Sequence, residues 1–291
     1  MSVKETVAIV ANDSGGAEIL SSWALRSNYN YIFVVQGPAE NIFFRKIPHL
    51  QIYDLNTAID RCDWVLTETG GSTNLNCKAI LTAKKKKKRV VSFLDHWSAY
   101  EGRFTRNNVS IFPDEIWAGD IDSYNLAKLT FPQKIVKLKD NPYLQNILED
   151  FNRIESDLEK YDFLYVSSNF DNPHREKDCL KISDVTILRK IINQIINYVD
   201  ISKNIVITIR AHPSEDISKY YNFVSPFMKI RFDIKQNLVD SIQRHKYIVG
   251  SNSMALVVGK IIGKITINAI LKENLSTLPS KYVDHTIIVN D

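Results

Sequence analysis

Short apolar runs alternate with helical stretches along most of this 291-residue chain, and that alternation restricts its possible folds more than any other feature. Residues 6–11, with the sequence TVAIVA, are apolar or β-branched at every position rather than at every second one. Such runs are typical of strands in a parallel sheet, because helices cover both faces of that sheet. The sequence therefore predicts βα units and an α/β fold.

The alternation occurs in both halves of the chain. In the first half we predict strands at 6–11, 31–36, 52–53 (weak), 64–67, 90–94 and 115–118, with helices at 17–26 and 75–82. In the second half we predict strands at 163–167, 204–210, 228–232, 246–249 and 265–267, with helices at 187–199, 217–223, 237–245 and 253–262. Both halves follow the same order of elements, which predicts two Rossmann-like lobes facing each other across a cleft.

The apolar pattern changes at the turn signal Asn141-Pro142-Tyr143, which is followed by a polar, helical segment. We therefore predict an N-terminal lobe at 1–143, a linker helix at 144–160 and a C-terminal lobe at 161–291.

Composition supports a folded protein, since 44% of the residues are hydrophobic and 24% are charged. No stretch approaches the roughly 20 apolar residues of a membrane span, and residues 1–6 lack the apolar core of a secretory signal, so we expect a cytoplasmic protein. Cys62, Cys77 and Cys179 are widely spaced and form no CxxC pair, so we expect reduced core thiols and no structural zinc.

The formal net charge is only +4, but six cations are consecutive: Lys84, Lys85, Lys86, Lys87, Lys88 and Arg89. The run fits either a solvated loop between a helix and a strand or a peripheral contact with the anionic inner face of a membrane. No aromatic residues interleave with it, which disfavours nucleic acid as a partner.

Ligands of open parallel sheets bind beyond the carboxyl ends of the strands, where helix N-termini attract anions. The first such loop contains Asp13, Ser14 and Gly15. The carboxylate could act as a base, and the serine and glycine could contact a donor phosphate; a helix N-cap is the alternative. The loop does not match GxGxxG, so no redox cofactor is indicated.

A second loop follows residues 64–67 and carries Glu68, a possible acid or base. Its small and hydroxyl residues could bind a phosphate or sugar hydroxyls, unless they only form a capped turn: Gly70, Gly71 and Ser72.

A third loop begins with the carboxylate of Asp95. Its other polar and bulky side chains suit sugar stacking with acid or anion contacts: His96, Trp97, Tyr100 and Arg103. Packing of the two aromatic rings in the core is the alternative.

Two further loops lie in the C-terminal half. Pro213 ends the strand before it, and His212 and Arg210 could contact a phosphate there. Farther along, three polar residues precede a helix and could form an anion site or a simple N-cap: Ser251, Asn252 and Ser253.

The segments Arg210-Ala211-His212-Pro213 and Gly250-Ser251-Asn252-Ser253 together resemble the HP and Ser-rich motifs of GT-B sialyltransferases and of related transferases of Kdo, pseudaminic and legionaminic acid. The resemblance implies that His212 meets the phosphate of a CMP donor and that Ser251 and Ser253 meet the phosphate or the sugar carboxylate. The segment Asn12-Asp13-Ser14-Gly15 is similar to the acidic motif that supplies the base in that group. Asp13 is the preferred base, with Glu68 and Asp95 as the alternatives.

The expected function is thus transfer of a keto-sugar acid from a CMP-activated donor to a bacterial surface glycan, without a metal ion or another cofactor. A nucleotide-sugar epimerase or hydrolase of the same two-lobed plan is the first alternative. A non-catalytic nucleotide-sugar-binding partner in polysaccharide synthesis is the second.

Overall fold

The computed structural model describes residues 4–71, 73–151, 161–168, 183–196, 205–212, 215–234, 237–271 and 276–289. The chain divides into two compact units, the N-terminal unit Met1–Asn146 and the C-terminal unit Ile147–Asp291. Each unit contains one parallel six-stranded sheet, which confirms the predicted α/β class with two Rossmann-like lobes. The lobe and linker boundaries deduced from the sequence stay predictions.

The N-terminal unit is built from βα units. Its strands are β1 (Thr6–Ala11), β2 (Asn30–Val35), β3 (Trp64–Thr67), β4 (Arg89–Phe93), β5 (Thr105–Arg106), β6 (Val109–Ser110), β7 (Glu115–Ala118) and β8 (Ile135–Leu138). Its helices are α1 (Ser14–Arg26), α2 (Pro38–Lys46), α3 (Leu55–Arg61), α4 (Leu75–Lys85), α5 (Tyr100–Arg103) and α6 (Ile121–Thr130), and α7 (Pro142–Phe151) begins at its end.

The sheet of the N-terminal unit has the order β2-β1-β3-β4-β7-β8, while β5 and β6 form a separate antiparallel pair. The neighbours of β1 are β2 on one side and β3 on the other, so the chain changes direction across the sheet at this point. Carboxyl ends of strands on either side of such a switch point diverge into a crevice, where α/β proteins bind ligands.

The interior of this sheet explains the continuous apolar runs. Val7 and Ile9 point to one apolar cluster and Ala8 and Val10 to another, and all four are fully buried. Successive side chains of a strand point to opposite faces, so a strand covered on both faces must be apolar throughout.

The C-terminal unit repeats this plan. Its strands are β9 (Tyr161–Val166), β10 (Val206–Arg210), β11 (Lys229–Phe232), β12 (His245–Gly250), β13 (Ile265–Ile270) and β14 (His285–Ile288), in the order β11-β10-β9-β12-β13-β14. Its helices are α8 (Asp184–Ile195), α9 (Leu238–Gln243) and α10 (Met254–Ile261). Val166 of β9 pairs with Arg210 of β10 on one side and with Gly250 of β12 on the other, so the switch point lies at the end of β9.

Several elements differ from their sequence predictions. Helix α1 begins at Ser14 rather than at Ala17, and the predicted helix 217–223 is a 3₁₀ turn at Ile217–Tyr220. The side chain of Asp216 accepts from the backbone N–H of Ser218, which favours a tight turn over a longer helix. The predictions missed α2, α3, α6, β8 and β14. The edge strand β8 illustrates why, because Ile135 and Leu138 are about half exposed and give no core pattern.

Some predicted features lie outside the described residues: Ser72, Cys179, Pro213 and residues 152–160 of the linker helix. None of the helices that the structure describes is both long and apolar enough to cross a membrane.

Candidate functional site

Three acidic side chains meet at the carboxyl edge of the N-terminal sheet, and we call Asp13, Glu68 and Asp95 the carboxylate cluster. They follow β1, β3 and β4, three adjacent strands of the sheet. A Cβ atom placed on Gly70 would lie 1.8 Å from Oδ2 of Asp13 and 2.6 Å from Oε2 of Glu68, so these two carboxylates are neighbours. A Cβ atom on Gly15 would lie 3.4 Å from Oδ2 of Asp95. The topology thus brings together the three alternative bases that the sequence left open.

Glu68 is the most deeply buried member, with 1% of its surface exposed. The backbone N–H of Asn12 donates to its Oε1 at 3.2 Å, and the backbone N–H of Gly70 donates to its Oε2. Glu68 makes no ion pair with any residue that the structure describes. Burial, and then the nearby charges of Asp95 and Asp13, raise the pKa of Glu68 from 4.5 to about 8. This side chain therefore holds a proton at neutral pH.

Asp95 has the opposite protonation. Burial acts to raise its pKa, but the Arg103 guanidinium, His96 and the Thr69 hydroxyl outweigh that effect and hold the pKa below its usual value. Arg103 forms an ion pair with Oδ1 of Asp95, and the hydroxyl of Thr69 donates to the same oxygen at 2.9 Å. Asp95 is therefore an ionised carboxylate beside the protonated Glu68.

Arg103 also fixes the loop that carries Glu68. Its Nη1 donates to the backbone oxygen of Thr69 at 3.1 Å and to the hydroxyl of Thr69 at 3.0 Å, while its Nε donates to the backbone oxygen of Ser98 at 2.8 Å. Arg103 was predicted from the sequence to bind a sugar. In the structure its guanidinium joins the loop of Thr69 to the loop of Ser98.

Asp13 lies at the start of α1, where its backbone oxygen accepts from Ala17 at 2.9 Å. Its Oδ1 accepts from the side-chain amide of Asn12 at 2.8 Å. Ser14 and Gly15, predicted as loop residues, form the first turn of this helix.

Two glycines allow the close approach of these loops. A Cβ atom on Gly16 would lie 2.2 Å from Cβ of Glu68, and one on Gly70 would overlap the Asp13 carboxylate. A Cβ atom on Gly71 would meet nothing within 4 Å. Of the glycines predicted to line this site, Gly70 is therefore the one where a larger residue would not fit, because Asp13 and Glu68 occupy the space.

The aromatic residues of the third loop are placed in the core. Trp97 is 7% exposed and donates through Nε1 to Asp120 at 3.1 Å; Tyr100 is 4% exposed and shares a 2.9 Å hydrogen bond with Ser123. Burial raises the pKa of Tyr100 to about 12. Both side chains are buried, as the alternative of core packing expects, and sugar stacking by these rings stays a prediction. Nδ1 of His96 lies 3.1 Å from the Ser98 hydroxyl.

Sequence reasoning missed three polar residues of this site. Asn12 and Thr69 are 5% and 1% exposed and contact the cluster as described above. The buried amide of Asn76, in the first turn of α4, donates to the backbone oxygen of Gly70 at 3.0 Å. In the sequence, these three residues are marked only by their position shortly after a strand or within the first turn of a helix. Their burial against the cluster, which the structure shows, identifies them as part of the site.

In the C-terminal unit, the predicted motifs lie at the carboxyl edge of the sheet. His212 is exposed after β10, and the 251–253 turn follows β12, with one strand, β9, between them. Neighbouring strands are about 4.8 Å apart, so the two strand ends are separated by about 10 Å. Ser168, two residues beyond the end of β9, spans part of this distance by donating from its hydroxyl to the backbone oxygen of Ser251 at 3.0 Å.

The 251–253 turn has well-defined internal contacts. The hydroxyl of Ser253 caps α10 by accepting from the N–H of Ala255 at 3.2 Å. Asn252 has a left-handed backbone with φ of 49°, and its side-chain oxygen accepts from the N–H of Thr277 at 3.0 Å. The turn therefore holds the N-terminus of α10 at the sheet edge, next to the end of β9.

Arg210 was predicted to neutralise a phosphate, but its charge is balanced within the unit. Its Nη1 donates to Oδ2 of Asp233 at 2.6 Å and to the hydroxyl of Ser241 at 3.2 Å. The Asp233 side chain is only 5% exposed. Arg210 therefore stabilises the base of the loop.

The lysine run lies away from the carboxyl edge. Lys84 and Lys85 end α4, and Lys86 pairs with Asp60. Lys88 donates to the backbone oxygen of Cys62 at 2.7 Å, just before β4 begins. The run is thus at the amino edge of the sheet, and its contact with a membrane stays a prediction.

Cys62 and Cys77 are buried free thiols, and burial raises both pKa values. In the described part of the chain, no three acidic, histidine or cysteine side chains are arranged to hold one metal ion.

Solved structures share this fold at low sequence identity. The UDP-GlcNAc 2-epimerase of Methanocaldococcus jannaschii, in complex with UDP-GlcNAc and UDP, matches with a TM-score of 0.66 and 15% identity over 98% of this chain and 89% of its own. The enzyme of the same name from Neisseria meningitidis, bound to UDP-GlcNAc, matches with a TM-score of 0.64 and 14% identity over 95% and 85%. A glycotransferase of kitacinnamycin matches with a TM-score of 0.54 and 8% identity over 98% and 86%.

No protein-family model matches the sequence, and no curated protein is significantly similar to it. The structural likeness defines the fold as GT-B-like, the architecture that the epimerases and the glycotransferase share.

Proposed function

We propose that this protein is an enzyme acting on a nucleotide sugar, with the carboxylate cluster exchanging protons at the sugar and the C-terminal unit binding the nucleotide phosphate. Within that class we favour an epimerase or a hydrolase over a transferase. The observation that carries this proposal is the meeting of Asp13, Glu68 and Asp95 at a single sheet edge, where burial and the neighbouring acids raise the pKa of Glu68 and Arg103 helps to lower that of Asp95.

Epimerisation beside the anomeric carbon can proceed by elimination and re-addition. A base removes the carbon-bound proton, the electron pair of that bond forms a double bond to the anomeric carbon, and the bond from this carbon to the nucleotide phosphate breaks. An acid then returns a proton to the opposite face as the phosphate oxygen bonds to the anomeric carbon again. A carboxyl group with a pKa near 8 can donate a proton at neutral pH, whereas an ionised carboxylate such as Asp95 can accept one. The cluster contains both forms side by side.

Hydrolysis would use the same groups differently. A carboxylate removes a proton from water as the water oxygen bonds to the anomeric carbon. The bond from that carbon to the nucleotide phosphate breaks, and its electron pair leaves with the phosphate oxygen. Donors in the C-terminal unit would stabilise the negative charge on the departing nucleotide.

The C-terminal unit offers suitable donors at its sheet edge. The imidazole of His212 is exposed there, and α10 begins beyond Ser253, which caps it through the N–H of Ala255. Helix N-termini attract phosphate through the N–H groups of the first turn and through the helix dipole. A nucleotide sugar as the ligand is supported by the two epimerases of the same fold, which were solved with UDP-GlcNAc.

The second candidate is transfer of a keto-sugar acid from a CMP donor to a glycan. It is favoured by one observation, the position of His212 and the 251–253 turn at the same edge, on either side of β9. Asp13, at the N-terminus of α1, would then deprotonate the acceptor hydroxyl. A peripheral membrane contact through the lysine run would hold the protein near such an acceptor.

The test incubates the protein with UDP-GlcNAc in D₂O and, in parallel, with CMP-sialic acid and a glycan acceptor, and identifies the products by NMR. An epimerase incorporates deuterium at the inverted carbon, a hydrolase releases nucleotide and free sugar without an acceptor, and a transferase needs the acceptor.

Nucleotide protection against thermal unfolding complements the product assay, because a ligand that binds only the folded state raises the melting temperature. We expect UDP to protect more than CMP or CDP. Stronger protection by CMP would favour the second candidate. Absence of both turnover and protection would overturn the proposed function.

A further inference from the structure

The loop that carries His212 is anchored to a buried polar network that no part of the proposed chemistry requires. Glu215 lies at the centre of this network, and its carboxylate is 1% exposed. Its Oε2 accepts from the backbone N–H of His212 at 2.9 Å. The carboxylate therefore closes a turn directly at the histidine.

The other oxygen of this carboxylate is held from three sides. Oε1 accepts from the hydroxyl of Ser167 at 3.0 Å and from the hydroxyl of Tyr220 at 2.7 Å, and it pairs with Nζ of Lys219 at 2.6 Å. Burial acts to raise the pKa of Glu215, but Lys219, Ser167, Tyr220 and the His212 N–H together hold it below its usual value. The group is therefore an ionised acceptor.

The network continues to a second buried acid. Nζ of Lys219 also pairs with Asp184 at 2.6 Å, and the Asp184 side chain is fully buried at the start of α8. Ser167 directly follows the central strand β9, at the switch point of the sheet. Glu215 thus ties the His212 turn to the end of β9 and to α8.

We propose that Glu215 is a positioning residue that fixes His212 for contact with the nucleotide phosphate. This inference rests on the phosphate role of His212 given above. When a histidine lies on an exposed loop, ordering that loop costs free energy and weakens phosphate binding. A backbone that is already fixed at the histidine before the phosphate binds removes part of this cost. A purely structural role would stabilise the C-terminal unit without affecting phosphate binding through His212.

The experiment is a double-mutant cycle on nucleotide affinity. UDP and CMP are titrated calorimetrically into the wild type, Glu215→Gln, His212→Ala and the double variant, and the tighter-binding nucleotide is the probe. Gln keeps the size of the side chain but has one acceptor oxygen where Glu215 has two, so it cannot accept both from His212 and from the donors on the other oxygen. Asp216→Asn is the matched control, because this neighbouring exposed carboxylate contacts Ser218 rather than His212.

We expect His212→Ala to weaken binding by about 30-fold, the range for a hydrogen bond to a charged group. Glu215→Gln should weaken it by about 5-fold in the wild type but by less than about 2-fold when His212 is already absent, because residues that act through one another are not additive. Asp216→Asn should leave binding unchanged.

Equal losses from Glu215→Gln in both backgrounds would overturn the positioning role while leaving the proposed function intact. No loss from His212→Ala would instead contradict the phosphate role in the proposed function. If Glu215→Gln shows no cooperative thermal transition, Ser167→Ala takes its place in the cycle, because it removes one donor to Oε1 and leaves the ion pairs intact. We then expect Ser167→Ala to weaken nucleotide binding when His212 is present and to have little effect when His212 is already replaced. Equal losses of affinity in both backgrounds would again overturn the inference.

Discussion

Both sheets are parallel and carry acidic side chains at the carboxyl edge, but the two edges differ in how those acids are paired with cations. At the edge of the N-terminal unit, Arg103 pairs with Asp95, while the buried Glu68 makes no ion pair with a described residue. At the edge of the C-terminal unit, the buried acids Asp184, Glu215 and Asp233 each pair with a described lysine or arginine. A buried acid that has no cation beside it has a raised pKa and is prepared for proton transfer, whereas a buried acid paired with a cation helps to fix a framework. The comparison assigns reactivity to the first edge and rigidity to the second.

The largest expected effect comes from removing the proton of Glu68. Glu68→Gln should lower kcat by about 1,000-fold, within the range for an acid–base group, while exposed Glu101→Gln should not. Steady-state kinetics on both variants measure this. Activity of Glu68→Gln close to that of the wild type would place the proton transfer elsewhere.

The same substitution should stabilise the protein in alkali. The folded pKa of about 8 exceeds the ordinary value of 4.5, so the unfolded chain releases its proton first and stability falls as the pH rises between these values. Glu68→Gln removes that loss, and we expect a gain of about 5 kcal/mol at pH 9 and little change at pH 4, because each unit of pKa difference is worth about 1.4 kcal/mol. Urea unfolding at both pH values tests this, and an equal change at both would contradict the raised pKa.

The next effect, a loss of stability, is expected at the carboxyl edge of the C-terminal sheet. Arg210→Gln leaves the nearly buried Asp233 without its guanidinium and should cost about 3 kcal/mol of unfolding free energy. Exposed Arg231→Gln serves as the control. Nucleotide affinity of the folded variant should not change, and a large loss of affinity with unchanged stability would return Arg210 to the phosphate-binding role predicted from the sequence.

A smaller effect on activity is expected from replacing Arg103, the cation that pairs with Asp95 in the carboxylate cluster. Arg103→Gln should lower kcat by about 10-fold and move the acidic limb of the pH profile to higher pH, because Asp95 loses the cation that holds its pKa down. Arg106→Gln is the control, since Nε of Arg106 donates to Asn74 outside the cluster. A lower kcat with an unshifted profile would indicate a purely structural role for Arg103.

The smallest effect tests the packing of the cluster. Gly70→Ala forces Asp13 and Glu68 apart and should cost about 1 kcal/mol of stability, because only side-chain ends must move. Gly71→Ala meets open space and should be neutral. Thermal unfolding of the two variants gives the comparison, and equal melting temperatures would show that the carboxylates are not in close contact.

Much of this architecture followed from local pattern. Continuous apolar runs such as Thr6–Ala11 predicted buried parallel strands, and parallel strands placed the loops with Asp13, Glu68 and His212 at carboxyl edges. Half-exposed elements such as β8 were not predicted, because their apolar residues do not follow a periodic pattern.

The sequence by itself determined the α/β class and which loops carry chemical groups, because strand burial and turn residues act over a few neighbouring positions. Only the tertiary structure decided which groups meet and in what protonation state. Asn12 donates to Glu68 across 56 positions of the chain, and Ser167 donates to Glu215 across 48. Burial and the distances between charges set the pKa of Glu68 and the pairing of Arg103 and Arg210, and both quantities exist only once distant segments have packed together.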